Sequence, residues 1–153
     1  KNGIKQNNSD FFTMRNYNIV YFEAEPNISF LYNTSFRINV SYKYSEKKNT
    51  LQITPQAKVT AHDFGSELKY NVLNKGTLNL KANFIQIAYN VPENSPLAYE
   101  MLEGLRTGKN YTWNIGYSRT LANNIQLTLT YDGRQSPGIK TIHMGNAQVR
   151  AFF

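Results

Sequence analysis

The sequence predicts an all-β fold of long antiparallel strands, on three observations. Apolar and polar residues alternate with period two over most of the 153 residues. The alternating segments are long, and short links between them take turns with long ones. Period-two alternation means an extended strand with one apolar and one polar face. In the run NYTWNIGYSRTLANNIQLTLTYDGR, Tyr111, Trp113, Ile115 and Tyr117 alternate with Thr112, Asn114, Gly116 and Ser118. Beyond a turn at 122–123, Ile125, Leu127, Leu129 and Tyr131 alternate with Gln126, Thr128, Thr130 and Asp132.

The remaining segments follow in chain order. Over 17–32, Val20, Phe22, Ala24, Pro26, Ile28 and Phe30 share a face; Pro26 removes a ladder donor, so a local bulge or frayed ladder is expected there. Over 35–45, Phe36, Ile38, Val40, Tyr42 and Tyr44 oppose Arg37, Asn39, Ser41 and Lys43. Over 62–72, Phe64, Leu68, Tyr70 and Val72 oppose Asp63, Glu67, Lys69 and Asn71. Over 77–89 the apolar phase slips from Leu78, Leu80, Ala82 and Phe84 to Ile85, Ile87 and Tyr89, as a β-bulge would make it. The last segment is 141–153. Residues 1–15 alternate poorly and are expected to be an external connecting segment, the lesser reading being that they hold an eighth strand, with 16–153 forming the strands.

What solvent the apolar faces meet decides the architecture. The links at 33–34, 74–75 and 122–123 are tight, whereas 46–57, 90–109 and 135–140 are longer and carry Pro, Gly, Ser and charge. Strict alternation of short and long links is the asymmetry of an up-and-down barrel in an outer membrane. The segments mostly exceed the roughly 9–11 residues that a tilted membrane strand needs, against about 5–6 in soluble sheets. Aromatics collect at both ends: Tyr42, Tyr44, Tyr111, Trp113 and Tyr131 on the long-link side, Tyr32, Phe36 and Tyr70 on the short-link side. The expectation is therefore an antiparallel up-and-down transmembrane β-barrel segment of about seven strands, incomplete on its own because single-chain bacterial barrels close with even numbers. The alternative is a soluble β-sandwich that binds carbohydrate or protein. A negative mean hydropathy does not separate the two, since a barrel places a polar residue at every second position.

The closing run GLRTGKNYTWNIGYSRTLANNIQLTLTYDGRQSPGIKTIHMGNAQVRAFF, ending on an aromatic residue, resembles the carboxy-terminal strands of large Bacteroidota outer-membrane β-barrel proteins. The resemblance covers about residues 16–153. It implies an integral outer-membrane location with a periplasmic C-terminus, and a pore-wall or scaffold role in a transport, secretion or outer-membrane assembly complex.

On this reading Phe36, Ile38, Val40, Tyr42, Trp113, Ile115, Tyr117, Ile125, Leu127, Leu129 and Phe153 face lipid, and Arg37, Asp63, Glu67, Lys69, Asp132 and Arg150 face the lumen. The expected partners are outer-membrane lipid and lipopolysaccharide, and other outer-membrane or surface proteins in a complex. Lys43, Lys47 and Lys48 are candidates for headgroup phosphates. Leu97, Met101, Leu102 and Leu105, apolar in the longest link, are the candidate partner-docking loop, the other reading being that they fold back on the barrel mouth.

Other chemistry finds little support. The chain carries a net charge of +7, yet its Lys and Arg are scattered, so no nucleic-acid surface is expected. Absence of cysteine excludes thiolate metal sites and thiol nucleophiles. His62 and Asp63 are adjacent on a strand and point to opposite faces, and neither histidine stands beside a nucleophile on a lumen face. No catalytic, cofactor or metal residue is assigned, and no enzyme activity is expected.

Overall fold

A computed structural model describes residues 1–7, 16–51, 56–72, 76–122 and 124–152. Its strands are β1 (Asn2–Asn7), β2 (Tyr17–Ala24), β3 (Asn27–Tyr32), β4 (Phe36–Asn49), β5 (Lys58–Val72), β6 (Gly76–Tyr89), β7 (Gly108–Ala122), β8 (Ile125–Gln135) and β9 (Ile142–Ala151), with one helix, α1 (Pro96–Leu102), between β6 and β7. They make a single antiparallel sheet in the order β1-β2-β4-β5-β6-β7-β8-β9, and β3 also pairs with β4. The sheet is not closed.

Local chemistry accounts for the breaks. Pro26 separates β2 from β3, which lie end to end along β4: Ala24 pairs with Tyr44 and Asn27 with Ser41. The ladder is frayed rather than lost, because the Pro26 carbonyl still accepts from the Tyr42 amide. In the short turn after β3, Asn33 takes a positive φ of 49°, a conformation Asn tolerates, and its side-chain oxygen accepts from the Ser35 amide. The links at 74–75 and Asn123 lie outside the described residues, as does Phe153.

Three sequence expectations need correction. Asn2–Asn7, expected within a connecting segment, pair with β2 from Asn2↔Phe22 to Asn7↔Tyr17. This strand has one large apolar residue, Ile4, so it carries no hydrophobic alternation to read; the ladder alone defines it. With β1 included, eight strands lie side by side, an even number, so parity no longer argues for incompleteness; among the described residues no strand pairs with the outer edges of β1 and β9. Finally, β6 holds an unbroken register with β5 from Val59↔Tyr89 to Val72↔Gly76, so the phase slip at Ile85 is not a bulge. The irregularity lies instead between Thr120 and Ala122 of β7.

Cross-strand partners share a face, and this assigns every strand. Ile38, Leu68, Leu80, Ile115 and Tyr131 form one row across β4 to β8 on the apolar side. Ile85 and Ile87 lie on the opposite, polar side, where the helix explains them. Ser95 caps α1 by accepting from the Ala98 amide at 3.0 Å, Pro96 begins it, and Glu103 (φ 55°) and Gly104 (φ 73°) end it in left-handed conformation. The helix lies against the long-link end of the polar face, and Ala98, Met101 and Leu102 meet Ile19, Val59 and Ile87 in the one cluster of buried apolar residues among those described.

Candidate functional site

The two faces of the sheet carry the chemistry. On the apolar face the expected residues stand on one side: Phe36, Ile38, Val40 and Tyr42 on β4, Trp113, Ile115 and Tyr117 on β7 and Leu129 on β8 lie at shared levels by register, and Leu127 and Ile125 continue the same side of β8 toward the short-link end. Nothing among the described residues covers this face. Val40 is 53% exposed, Phe30 59% and Ile28 77%. An uncovered apolar surface spanning a whole sheet marks a contact with lipid or with another protein layer.

Aromatic rings run laterally across this face near the long-link end. Phe22 meets Tyr44, Tyr44 meets His62, Tyr42 stacks on His62 and tilts on Phe64, Phe64 meets Phe84, and Phe84 meets Tyr111, with centroids 4.8–6.4 Å apart. A second group joins Trp113 and Tyr131 to His143. Two tyrosine hydroxyls each meet a histidine Nδ1 at 2.7 Å, Tyr42 with His62 and Tyr131 with His143. The histidines are thus members of the aromatic band. Trp113 lies over Gly133, whose missing side chain makes room for the indole. At the other end Phe36 meets Tyr70 edge-on, 6.5 Å apart.

The polar face is hydrogen-bonded across strands. Lys43 pairs with Glu23 at 3.1 Å, the Asn83 amide donates to Asp63 at 3.0 Å, Lys81 lies 3.7 Å from Glu67, and the Asn114 amide donates to Asp132 at 2.7 Å. Arg37 and Lys69 share this side but oppose one another in register, and no ion pair of either is found among the described residues. Arg150 faces the same way near the end of β9, opposite Gln126. Around Gly65 the absent side chain leaves a shallow groove of about 210 Å³ between Asn39, Ser41, Glu67 and Asn83.

At its long-link end the polar face is capped. Lys47 donates to the Met101 carbonyl at 3.1 Å and pairs with Glu103, while Lys5 pairs with Glu100. Asn110, fully buried, donates to the Arg106 carbonyl at 2.7 Å and accepts from the Arg106 amide, bracing the return into β7. Burial pushes the Glu103 carboxyl up, but the Lys47 hydrogen bond and the charges of Lys47, Lys43 and Lys5 outweigh it and hold the group below its ordinary value.

Two site expectations change accordingly. Met101 and Leu102 belong to the buried cluster on the chain's own sheet and Leu97 and Leu105, half-buried, pack against it, so the apolar side chains offered for partner docking turn inward. Tyr99, 72% exposed, is the helix residue left on the outside. Lys43 and Lys47 share the polar face with Arg37 and are engaged there, so of the three lysines considered for lipid phosphates only Lys48 lies on the apolar side, paired with Glu46 at 2.8 Å. Among the described residues no group of three or more His, Asp or Glu is arranged to hold a metal ion. Comparison with protein-family models and with curated proteins finds no match.

Proposed function

We propose that this chain is a wall segment of a larger outer-membrane β-barrel, with the apolar face against hydrocarbon and the polar face toward the lumen. The observation that carries the reading is the placement of the dry core. All the buried apolar residues of the cluster are on α1 or on the side that alternation marks as polar, while the apolar side is bare. In water that arrangement leaves most large apolar side chains wet; in a bilayer both faces are in their proper medium.

Strand length supports the same assignment. β4, β5, β6 and β7 run for 14 or 15 residues, enough to cross the hydrocarbon with tilt and project beyond it. The aromatic band near one end of the apolar face suits a headgroup level. An unpaired strand edge in hydrocarbon costs several kcal/mol for each unsatisfied group, so further strands must cover the edges of β1 and β9. The likeness of residues 16–153 to Bacteroidota carboxy-terminal barrel strands is the ground for the outer membrane and for a periplasmic C-terminus. The role is pore wall or scaffold within a transport, secretion or assembly complex, and α1 narrows the lumen at the external mouth.

Site-directed spin labels test the solvent of each face, and the cysteine-free sequence makes single labelling clean. Ala82 and Lys81 are exposed neighbours on β6 pointing to opposite sides. In lipid vesicles the label at Ala82→Cys is expected to relax with oxygen and that at Lys81→Cys with a water-soluble nickel chelate. Nickel access at Ala82 would overturn the lipid assignment. Protection of Ala82 from both reagents would mean that a protein layer covers the face, as in a sandwich.

A further inference from the structure

At the external end of the apolar side, the start of β7 and the turn between β8 and β9 enclose a cleft of about 410 Å³. Its turn is built by sequence: Pro137 and Gly138 occupy the two central positions, Gly138 has φ 70°, and the Ile139 amide donates to the Ser136 carbonyl. Pro137 sits close over Gly108, where any side chain would crowd it. The cleft is lined by Lys109, Tyr111, Gln135, Ile139 and Lys140, with no carboxylate among its lining residues. The Arg106 guanidinium stands beside Gly138.

Charge distinguishes this cleft from the rest of the rim. Lys48 and Lys58 reach the same end of the sheet, but Glu46 lies between them and pairs with both. Lys47 is taken by Glu103, and Glu93, close in sequence, accepts from the Thr107 amide. No ion pair of Lys109, Lys140 or Arg106 is found among the described residues. Register puts Tyr111 opposite Phe84, ring centroids 5.2 Å apart, so the lower lip of the cleft is continuous with the aromatic band.

A concave site with uncompensated cations above and bare apolar surface below is complementary to a molecule with an anionic head and hydrocarbon tails. We propose that this cleft binds the phosphate of a phosphorylated lipid headgroup, with Lys109 and Lys140 around the phosphate, Arg106 adding charge at the rim beside Gly138, and the acyl chains descending over Tyr111 and Phe84. The proposal rests on the lipid-facing reading of the apolar side. Ammonium and guanidinium groups both suit phosphate, the guanidinium by its planar fork of donors.

The test uses the full polypeptide reconstituted in phosphatidylcholine vesicles containing a minor fraction of phosphatidic acid. The protein is then extracted and its retained lipid quantified by mass spectrometry. Phosphatidic acid is expected to be enriched over phosphatidylcholine, to fall about fivefold in Lys109→Gln or Lys140→Gln, and roughly thirtyfold in the double variant. Lys58→Gln, which removes a rim cation that pairs with Glu46 outside the cleft, is expected to retain it. Undiminished retention by the double variant overturns the proposal, as does an equal loss in Lys58→Gln, which would make the effect one of overall rim charge. Complete displacement by inorganic phosphate would show a phosphate site indifferent to lipid. Failure of the wild-type chain to enter vesicles overturns the lipid-facing reading and the proposal together, whereas insertion without enrichment overturns the proposal alone.

Discussion

The middle and the long-link end of the polar face teach different things about the same alternation. In the middle, around Gly65, the Asn83 amide donates to Asp63, the Asn114 amide to Asp132 and the Ser29 hydroxyl to Asn39, leaving the open groove of about 210 Å³. At the long-link end the same parity of residues becomes Ile19, Val59, Ile85 and Ile87, and α1 closes over them with Met101 only 1% exposed. A face is therefore not one environment from end to end; the residue type records what covers each level. The apolar side is the contrast to both, with rings and branched side chains over most of its height, Glu46, Lys48 and Lys109 only at the long-link rim, and no cover among the described residues. A sheet that builds its only described dry cluster on its polar side leaves the other, apolar side for something else to cover, which is the ground of the lipid-facing proposal.

Replacing apolar residues in the two places separates a protein-made core from a solvent-made one. Met101→Ala removes a fully buried side chain from beneath α1 and is expected to cost roughly 2–5 kcal/mol of helix docking, read as lost amide protection over residues 98–105. Val40→Ala on the bare side makes no cavity, and in a bilayer its effect on stability is expected to be within about 1 kcal/mol. Equal losses would mean that Val40 is packed by protein, and the contrast would collapse.

Charge sharpens the comparison at a single step along β8. Leu129 faces the apolar side near the middle of the strand and Thr130 faces the polar side. Leu129→Arg is expected to destabilise the reconstituted protein by roughly 2–4 kcal/mol, as a cation at the bilayer midplane does. Thr130→Arg, opposite Gly116 and Asn146, has room and water and is expected to be nearly silent. Refolding titrations in lipid measure both, and a penalty for Thr130→Arg as large as that for Leu129→Arg would remove the lumen from the reading.

The sequence was legible where structure is local. Period-two patterning put Phe36, Ile38, Val40 and Trp113 on one side and Arg37, Asp63, Glu67 and Asp132 on the other, because side-chain direction in a strand depends only on parity. Parity also carried a signal left unused: Lys43 and Lys47 have the parity of Arg37 and so belong to the polar side. What failed was non-local. The apolar pair Ile85 and Ile87 looked like a bulge because the helix that covers it comes ten residues later. The same helix made Met101 and Leu102 look available to a partner. β1 was missed because a strand with one large apolar residue is specified by its neighbour's ladder and by Lys5 meeting Glu100. The cleft of Lys109 and Lys140 needed the β8–β9 turn folded beside β7 before two distant lysines could be neighbours.

The smallest expected effect concerns what holds α1 on the sheet. Its apolar contacts do not titrate, but Glu103 does. The carboxyl is held below its ordinary value of 4.5, with Lys47, Lys43 and Lys5 overcoming the cost of burial. A carboxyl depressed in the folded state contributes stability that is complete above the ordinary value and is lost as pH falls through the depressed one. Acidification from 4.5 downward is therefore expected to loosen α1 relative to β5 and β6. The side chain is largely exposed, so the loss is partial and the apolar cluster keeps the helix in place at neutral pH. Hydrogen exchange over residues 98–105, corrected for intrinsic rates, follows the loosening, and Glu103→Gln is expected to flatten its dependence on pH. If the wild type and Glu103→Gln follow one curve, the contact between Glu103 and Lys47 does not hold the helix, and its grip on the sheet belongs to its apolar contacts alone.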